Sequence, residues 1–159
     1  LKKVLKEIFP HVAYLVMDKD TTWRFKHLIV PSMSNRDDGV THPRVINWLR
    51  HFGPAKATPT KKIFITRQDA LTRQLVNQQE LLLALAGFEP IELSKYTVKE
   101  QMEIFVSATH VVATHGAGLT NLLWCQHGTK VIEINHIEQI EKKVYPILSS
   151  NCGLLHERL

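Results

Sequence analysis

From Lys61 onward, short apolar runs alternate with amphipathic stretches, and this alternation limits the chain to very few folds. Ile63-Phe64-Ile65-Thr66 reads as one strand, 88–93 as a second, His110-Val111-Val112-Ala113-Thr114 as a third and 130–135 as a fourth. Residues 75–86, a stretch carrying Val98, Met102 and Phe105 on one side, and 117–124 read as the intervening helices, with 137–149 as a final helix. Strands separated by helices of this length pair in parallel through right-handed crossovers. The expected fold class is therefore α/β, a Rossmann-like doubly wound parallel sheet. Ligands bind such sheets outside the carboxyl ends of the strands, which points to the loops after Thr66, Thr114 and Ile134.

Local punctuation agrees with this division. Gly87 stops the first helix, Thr97-Val98-Lys99-Glu100 is a capping box opening the second, and Gly128 follows the third. Pro90 marks its strand as a sheet edge, since proline has no N–H for the ladder. Residues 1–60 read differently. A short helix over 1–9 is expected, then strands over 12–17 and 23–30 joined as an antiparallel hairpin by the Asp18-Lys19-Asp20-Thr21 turn. The loop 31–43 leads to a helix over 44–52, with Pro43 in its first turn and Gly53 closing it. Residues 1–60 are thus expected to be the remnant of a preceding domain and 61–159 a nucleotide-binding domain. The chain begins without Met and reads as a piece of a longer protein.

The loop between the third strand and its helix, Thr114-His115-Gly116-Ala117-Gly118-Leu119-Thr120-Asn121, carries the sharpest chemistry. Gly116 and Gly118 remove side chains where the chain turns, so a ligand can approach the backbone. The first amides of the following helix, Ala117 included, point at the same place, and the helix dipole favours an anion there. Thr120 and Asn121 add side-chain hydrogen bonds, and His115 a ring donor. Arg67 stands just past the first strand and Arg73 at the start of the next helix, with Asn77 one turn on. A guanidinium fork matches phosphate oxygens. Glu133 interrupts Val131-Ile132-Glu133-Ile134; a carboxylate there needs a partner, either an arginine or the hydroxyls of a ribose. Without a ligand, the same features make a tight glycine turn, two surface arginines and a structural ion pair.

Several other readings lose on spacing. His-Gly-Ala-Gly is compatible with an esterase oxyanion loop, but no G-x-S-x-G elbow is present. A nicotinamide oxidoreductase would carry G-x-G-x-x-G after the first strand. The nine histidines include no H-x-x-x-H or H-E-x-x-H, so no metal site is expected. Cys125 and Cys152 form no C-x-x-C; Cys125 reads as a core residue. The formal charge of +5 comes from lysines scattered over amphipathic and loop positions, which suits solvation better than a nucleic-acid partner. No run approaches the about 20 apolar residues of a membrane span.

Taken together, Ile65-Thr66-Arg67, Arg73, Asn77, Glu80-Leu81, Gly87-Phe88, Glu100-Gln101, Phe105, Ser107-Ala108, the segment His115-Gly116-Ala117-Gly118-Leu119-Thr120-Asn121, Gly128 and Val131-Ile132-Glu133-Ile134 resemble the glycosyltransferase 61 pattern. Tyr145 and Gly153-Leu154 stand where members carry an aromatic and a glycine turn. The resemblance implies a GT-B architecture, of which this chain is the donor-binding half. It implies inverting transfer from a nucleotide-sugar donor, expected to be a UDP-sugar, to a glycan or glycoprotein acceptor, with no metal or other cofactor. Arg67, Arg73, Asn77, His115, Gly116, Ala117, Gly118, Thr120 and Asn121 then hold the diphosphate, and Glu133 faces the nucleoside. Asp37 and Asp38, in a polar loop, are the candidates for the general base, with solvation as the plainer account. The expected location is the cytoplasm in a bacterium, which is preferred, or the Golgi or ER lumen in a eukaryote. The alternative is a nucleotide- or phosphate-binding module without turnover.

Overall fold

The computed structural model describes residues 10–13, 15, 17–30, 42–67, 75–136 and 142–159. The chain divides into two compact units, Leu1–Ser34 and Asn35–Leu159. The expected helix over 1–9, and Asp37, Asp38 and Arg73, lie outside the described residues.

In the first unit the Asp18 turn is present, with the Asp20 amide donating to Asp18 Oδ1 at 3.3 Å. The described residues of 12–30 contain no strand of the expected hairpin; residues 14 and 16 lie outside them. Val12, Leu15, Met17, Phe25, Leu28 and Ile29 are exposed. Trp23 and Phe25 stack on each other at 6.5 Å, as i,i+2 neighbours on extended chain can. Alternation alone makes an extended chain; a strand also needs a partner to take its N–H and C=O groups.

The second unit is a five-stranded sheet in the order β2-β1-β3-β4-β5 with every pair parallel. Its strands are β1 (Lys61–Ile65), β2 (Glu89–Ile91), β3 (Ala108–Thr114), β4 (Lys130–Ile134) and β5 (Leu155–Arg158). Ile63, Phe64 and Ile65 in β1, and Val111, Val112 and Ala113 in β3, are buried whichever way they point. Such unbroken apolar runs mark strands covered on both faces. Edge strand β2 carries Pro90, as expected.

The helices are α1 (Pro43–Arg50), α2 (Gln78–Ala84), α3 (Val98–Val106), a 3₁₀ helix (Ala117–Trp124) and α4 (Val144–Cys152). The chain runs from β1 outward to β2, then reverses to β3, β4 and β5. With right-handed crossovers, α2 lies on one face and α3, the 3₁₀ helix and α4 on the other. That second face holds the main core, where Ile63, Ile65, Val111 and Val131 meet Phe105, Leu119, Leu122 and Cys125. Helix α1, grouped by composition with the preceding segment, joins this core through Ile46.

Several elements differ from the sequence reading, the final helix among them: expected over 137–149, it runs Val144–Cys152, and 137–141 lie outside the described residues. Helix α2 is shorter than 75–86 and buries none of its residues; Val76 and Leu83 are exposed. The segment Ala117–Trp124 is 3₁₀ throughout rather than α. Its fully buried residues Leu119, Leu122 and Cys125 recur every third position, the period of a 3₁₀ turn. Strand β5 was not expected, because Leu-His-Glu-Arg is short and polar; it ends the sheet as an edge, where such residues are tolerated. Among the described residues no helix is long and apolar enough to cross a membrane.

Candidate active site

The order β2-β1-β3-β4-β5 places its reversal between β1 and β3; in open parallel sheets the ligand crevice lies at that point, outside the strands' carboxyl ends. Arg67 follows β1 there, and His115-Gly116-Ala117-Gly118 follows β3. The two meet: a Cβ built on Gly116 would overlap the Arg67 guanidinium. Gly116 has extended backbone, φ 168° and ψ 174°, which any residue can adopt. Its lack of a side chain leaves room for the guanidinium packed on it; the backbone does not demand a glycine.

The next helix starts at this spot. Gly116 is its N-cap and provides no side-chain cap, while its carbonyl accepts from the Leu119 amide at 3.0 Å. The amides of Ala117 and Gly118 therefore stand at the positions that have no acceptor within the helix. One guanidinium and the positive end of a helix converge, an arrangement that suits an anion.

Gly118 serves packing. A Cβ there would come within 2.8 Å of Leu93 Cδ1 and 3.5 Å of Ile65 Cγ2, so its bare backbone lets the helix settle on β1. Asn121 faces inward as well: its amide donates to Gln101 Oε1 at 3.1 Å and to the Gly118 carbonyl at 3.3 Å. Gln101 in turn donates to the carbonyls of Leu93 and Tyr96. Asn121 thus ties the helix to α3. Thr120 is exposed and, with Ile46, Leu49, Tyr145 and Leu148, lines an apolar cavity of about 240 Å³. Asn77 is the exposed N-cap residue of α2 and makes no side-chain cap bond.

Glu133 is fully buried and lies against two histidines. His115 Nδ1 lies 2.5 Å from its Oε1, and His156 Nε2 lies 3.0 Å from its Oε2. His156 Nδ1 meets Ser149 Oγ at 2.7 Å. Tyr145 stands edge-on to the His115 ring at 5.1 Å between centroids. Burial pushes the Glu133 carboxyl up, but the hydrogen bonds of His156 and His115 lead the effects that outweigh it, and the net shift is downward. In this arrangement both oxygens face histidines. Ser149 and His156 were invisible in the sequence because β5, which brings His156 beside β4, was itself unexpected.

The family profile described as Glycosyltransferase 61 matches residues 4–132. The chain belongs to the glycosyltransferase 61 family. No curated protein matches it. As a glycosyltransferase it brings together a sugar donor and an acceptor. The stretch matched by the glycosyltransferase 61 profile includes Arg67 and the whole loop from His115 to Asn121, and stops one residue before Glu133. The crevice is therefore family territory, while Glu133, Tyr145, Ser149 and His156 lie beyond it.

Proposed function

We propose that this chain is the donor-binding half of a GT-B glycosyltransferase that transfers a sugar, with inversion, from a nucleotide diphosphate donor to a glycan or glycoprotein. A UDP-sugar is the donor we favour. The observation that carries this reading is the Arg67 guanidinium lying on Gly116 at the switch point, beside a helix start with no side-chain cap. In the reaction the sugar–oxygen bond breaks and negative charge builds on the departing diphosphate. Fixed donors placed where charge develops lower that barrier, since they need no reorganisation. Arg67 supplies a charged fork and Ala117 and Gly118 supply amides; no metal need enter the scheme. His115, adjoining Gly116, shapes the same loop.

Calorimetric titration with uridine diphosphate tests the reading. The chain binds it, and Arg67→Ala weakens binding by roughly tenfold to a hundredfold, the usual worth of a charge-assisted hydrogen bond. Equal affinity in the two proteins would remove Arg67 from the donor site. Hydrolysis of a UDP-sugar by the full-length protein separates an enzyme from a binding module without turnover.

A further inference from the structure

We propose that Ser149, His156 and Glu133 form a buried positioning relay that fixes the ring and the tautomer of His115 at the crevice. Its consequence for binding rests on the donor-site reading above; its proton arrangement does not.

The proton positions follow from one group. Glu133 is wholly enclosed between β3, β5 and the helix layer, and the two histidines hold it as a carboxylate. A carboxylate only accepts, so each nitrogen facing it must carry a hydrogen. His115 is therefore protonated at Nδ1, and His156 at Nε2. In neutral His156 the other nitrogen, Nδ1, is then an acceptor, and the Ser149 hydroxyl donates to it. For His115 the same logic leaves Nε2 an acceptor until the ring gains a second proton.

Orientation is fixed as firmly. The His115 amide donates to the Ile134 carbonyl at 2.9 Å, so backbone and ring are both anchored to β4. Tyr145 on α4 sets the ring plane at 60° to its own. His115, Glu133 and His156 are each at least nine-tenths buried at the side chain. Ser149, His156 and Glu133 follow one another as in a hydrolase triad, but Ser149 is fully buried and has no opening toward a substrate. The chain of contacts leads instead to His115, the residue before the glycine on which Arg67 lies. Glu133, His156 and Ser149 are thus positioning residues acting through His115.

Two-bond nitrogen–proton spectra of histidine-labelled protein read the tautomer directly. His115 shows its proton on Nδ1 in the native chain, and Glu133→Gln loses that preference. Uridine diphosphate titrations of His115→Gln, Glu133→Gln and the double variant complete the cycle. Each single change weakens binding by roughly threefold to a hundredfold, and the double is no weaker than the worse single. A native His115 protonated at Nε2 alone would overturn the relay, as would single effects that multiply. If Glu133→Gln does not fold, Ser149→Ala retains the carboxylate; His115 protonated at Nδ1 and His156 at Nε2 in that variant then support the relay, and loss of the proton from either nitrogen counts against it. A chain with the expected His115 tautomer and no affinity for uridine diphosphate supports the relay and defeats the donor reading, so the two failures are distinguishable.

Discussion

Both ends of the sheet carry basic side chains, and they do opposite work. At the amino ends of the strands, Asn47, Arg50, His51, Lys56, Gln126 and His127 surround the larger cavity, about 490 Å³. In a parallel sheet with helical crossovers this is where helices finish, so carbonyls point into it. Arg50 donates to the Cys125 carbonyl at the end of the 3₁₀ helix. Gln126 reaches the carbonyl of Val106 at the end of α3, and that of Ala57. The cations and amides there offset the negative ends of helices. At the carboxyl ends helices begin, so Arg67 adds to a positive end instead of cancelling a negative one. Size and basicity favour the amino-end cavity as a site; helix polarity favours the carboxyl-end rim.

Crossing the two arginines is the strongest way to break this contrast. Arg67→Ala should lose roughly tenfold to a hundredfold in uridine diphosphate affinity and keep its melting temperature. Arg50→Ala should keep the affinity and lose stability, by about 1.5–3 kcal/mol for a charged hydrogen bond to a part-buried carbonyl. If Arg50→Ala abolishes binding instead, the site lies at the other end of the sheet. The two loop glycines sharpen the point. Gly118→Val forces a side chain into Leu93, so denaturant unfolding should show a loss of about 1–3 kcal/mol. Gly116→Ala suits its extended backbone but displaces the guanidinium; it should lower affinity with little change in unfolding.

This division of labour was only half legible in the sequence. Alternation from Lys61 onward predicts the parallel sheet and its carboxyl-end crevice, because apolar period and helix caps are local signals. The meeting of Arg67 with Gly116 follows from strand order, since β1 and β3 become neighbours only after the chain reverses. The separate tasks of Gly116 and Gly118 could not be read from spacing: both are glycines in one loop, yet one faces Arg67 and the other Leu93. Glu133 shows the same limit. Its need for a partner was evident from its apolar surroundings, but one partner, His156, arrives on a strand with no apolar signature.

Acid offers a milder test on the crevice side. The Glu133 carboxyl is held below its ordinary range, so it favours the folded state fully once the unfolded chain's carboxyl, near about 4.3, has ionised. That contribution is constant above roughly pH 5 and fades as pH falls through the lowered folded value. Unfolding free energies measured from pH 6 downward should decline below about pH 4, and Glu133→Gln should flatten part of that decline. A slope identical in the two proteins would assign the acid sensitivity to other carboxyls.

The smallest effect concerns a second helix start at the same end of the sheet. Helix α3 opens with Thr97, whose hydroxyl accepts from the Glu100 amide while Glu100 Oε2 accepts from the Thr97 amide at 2.7 Å. The Thr97 backbone and hydroxyl hold the Glu100 carboxyl below its usual range. This helix pairs the amides of Thr97 and Glu100 and sets a carboxylate at its start, which repels an anion there. The helix after Gly116 has neither device. Thr97→Ala should therefore lower the melting temperature by only about 2–4 °C, as the loss of a cap does in a chain of this size, and leave uridine diphosphate affinity unchanged. A variant that bound uridine diphosphate more tightly would mean that the cap competes with the ligand, and that anion binding at this rim is shared between two helix starts rather than confined to one.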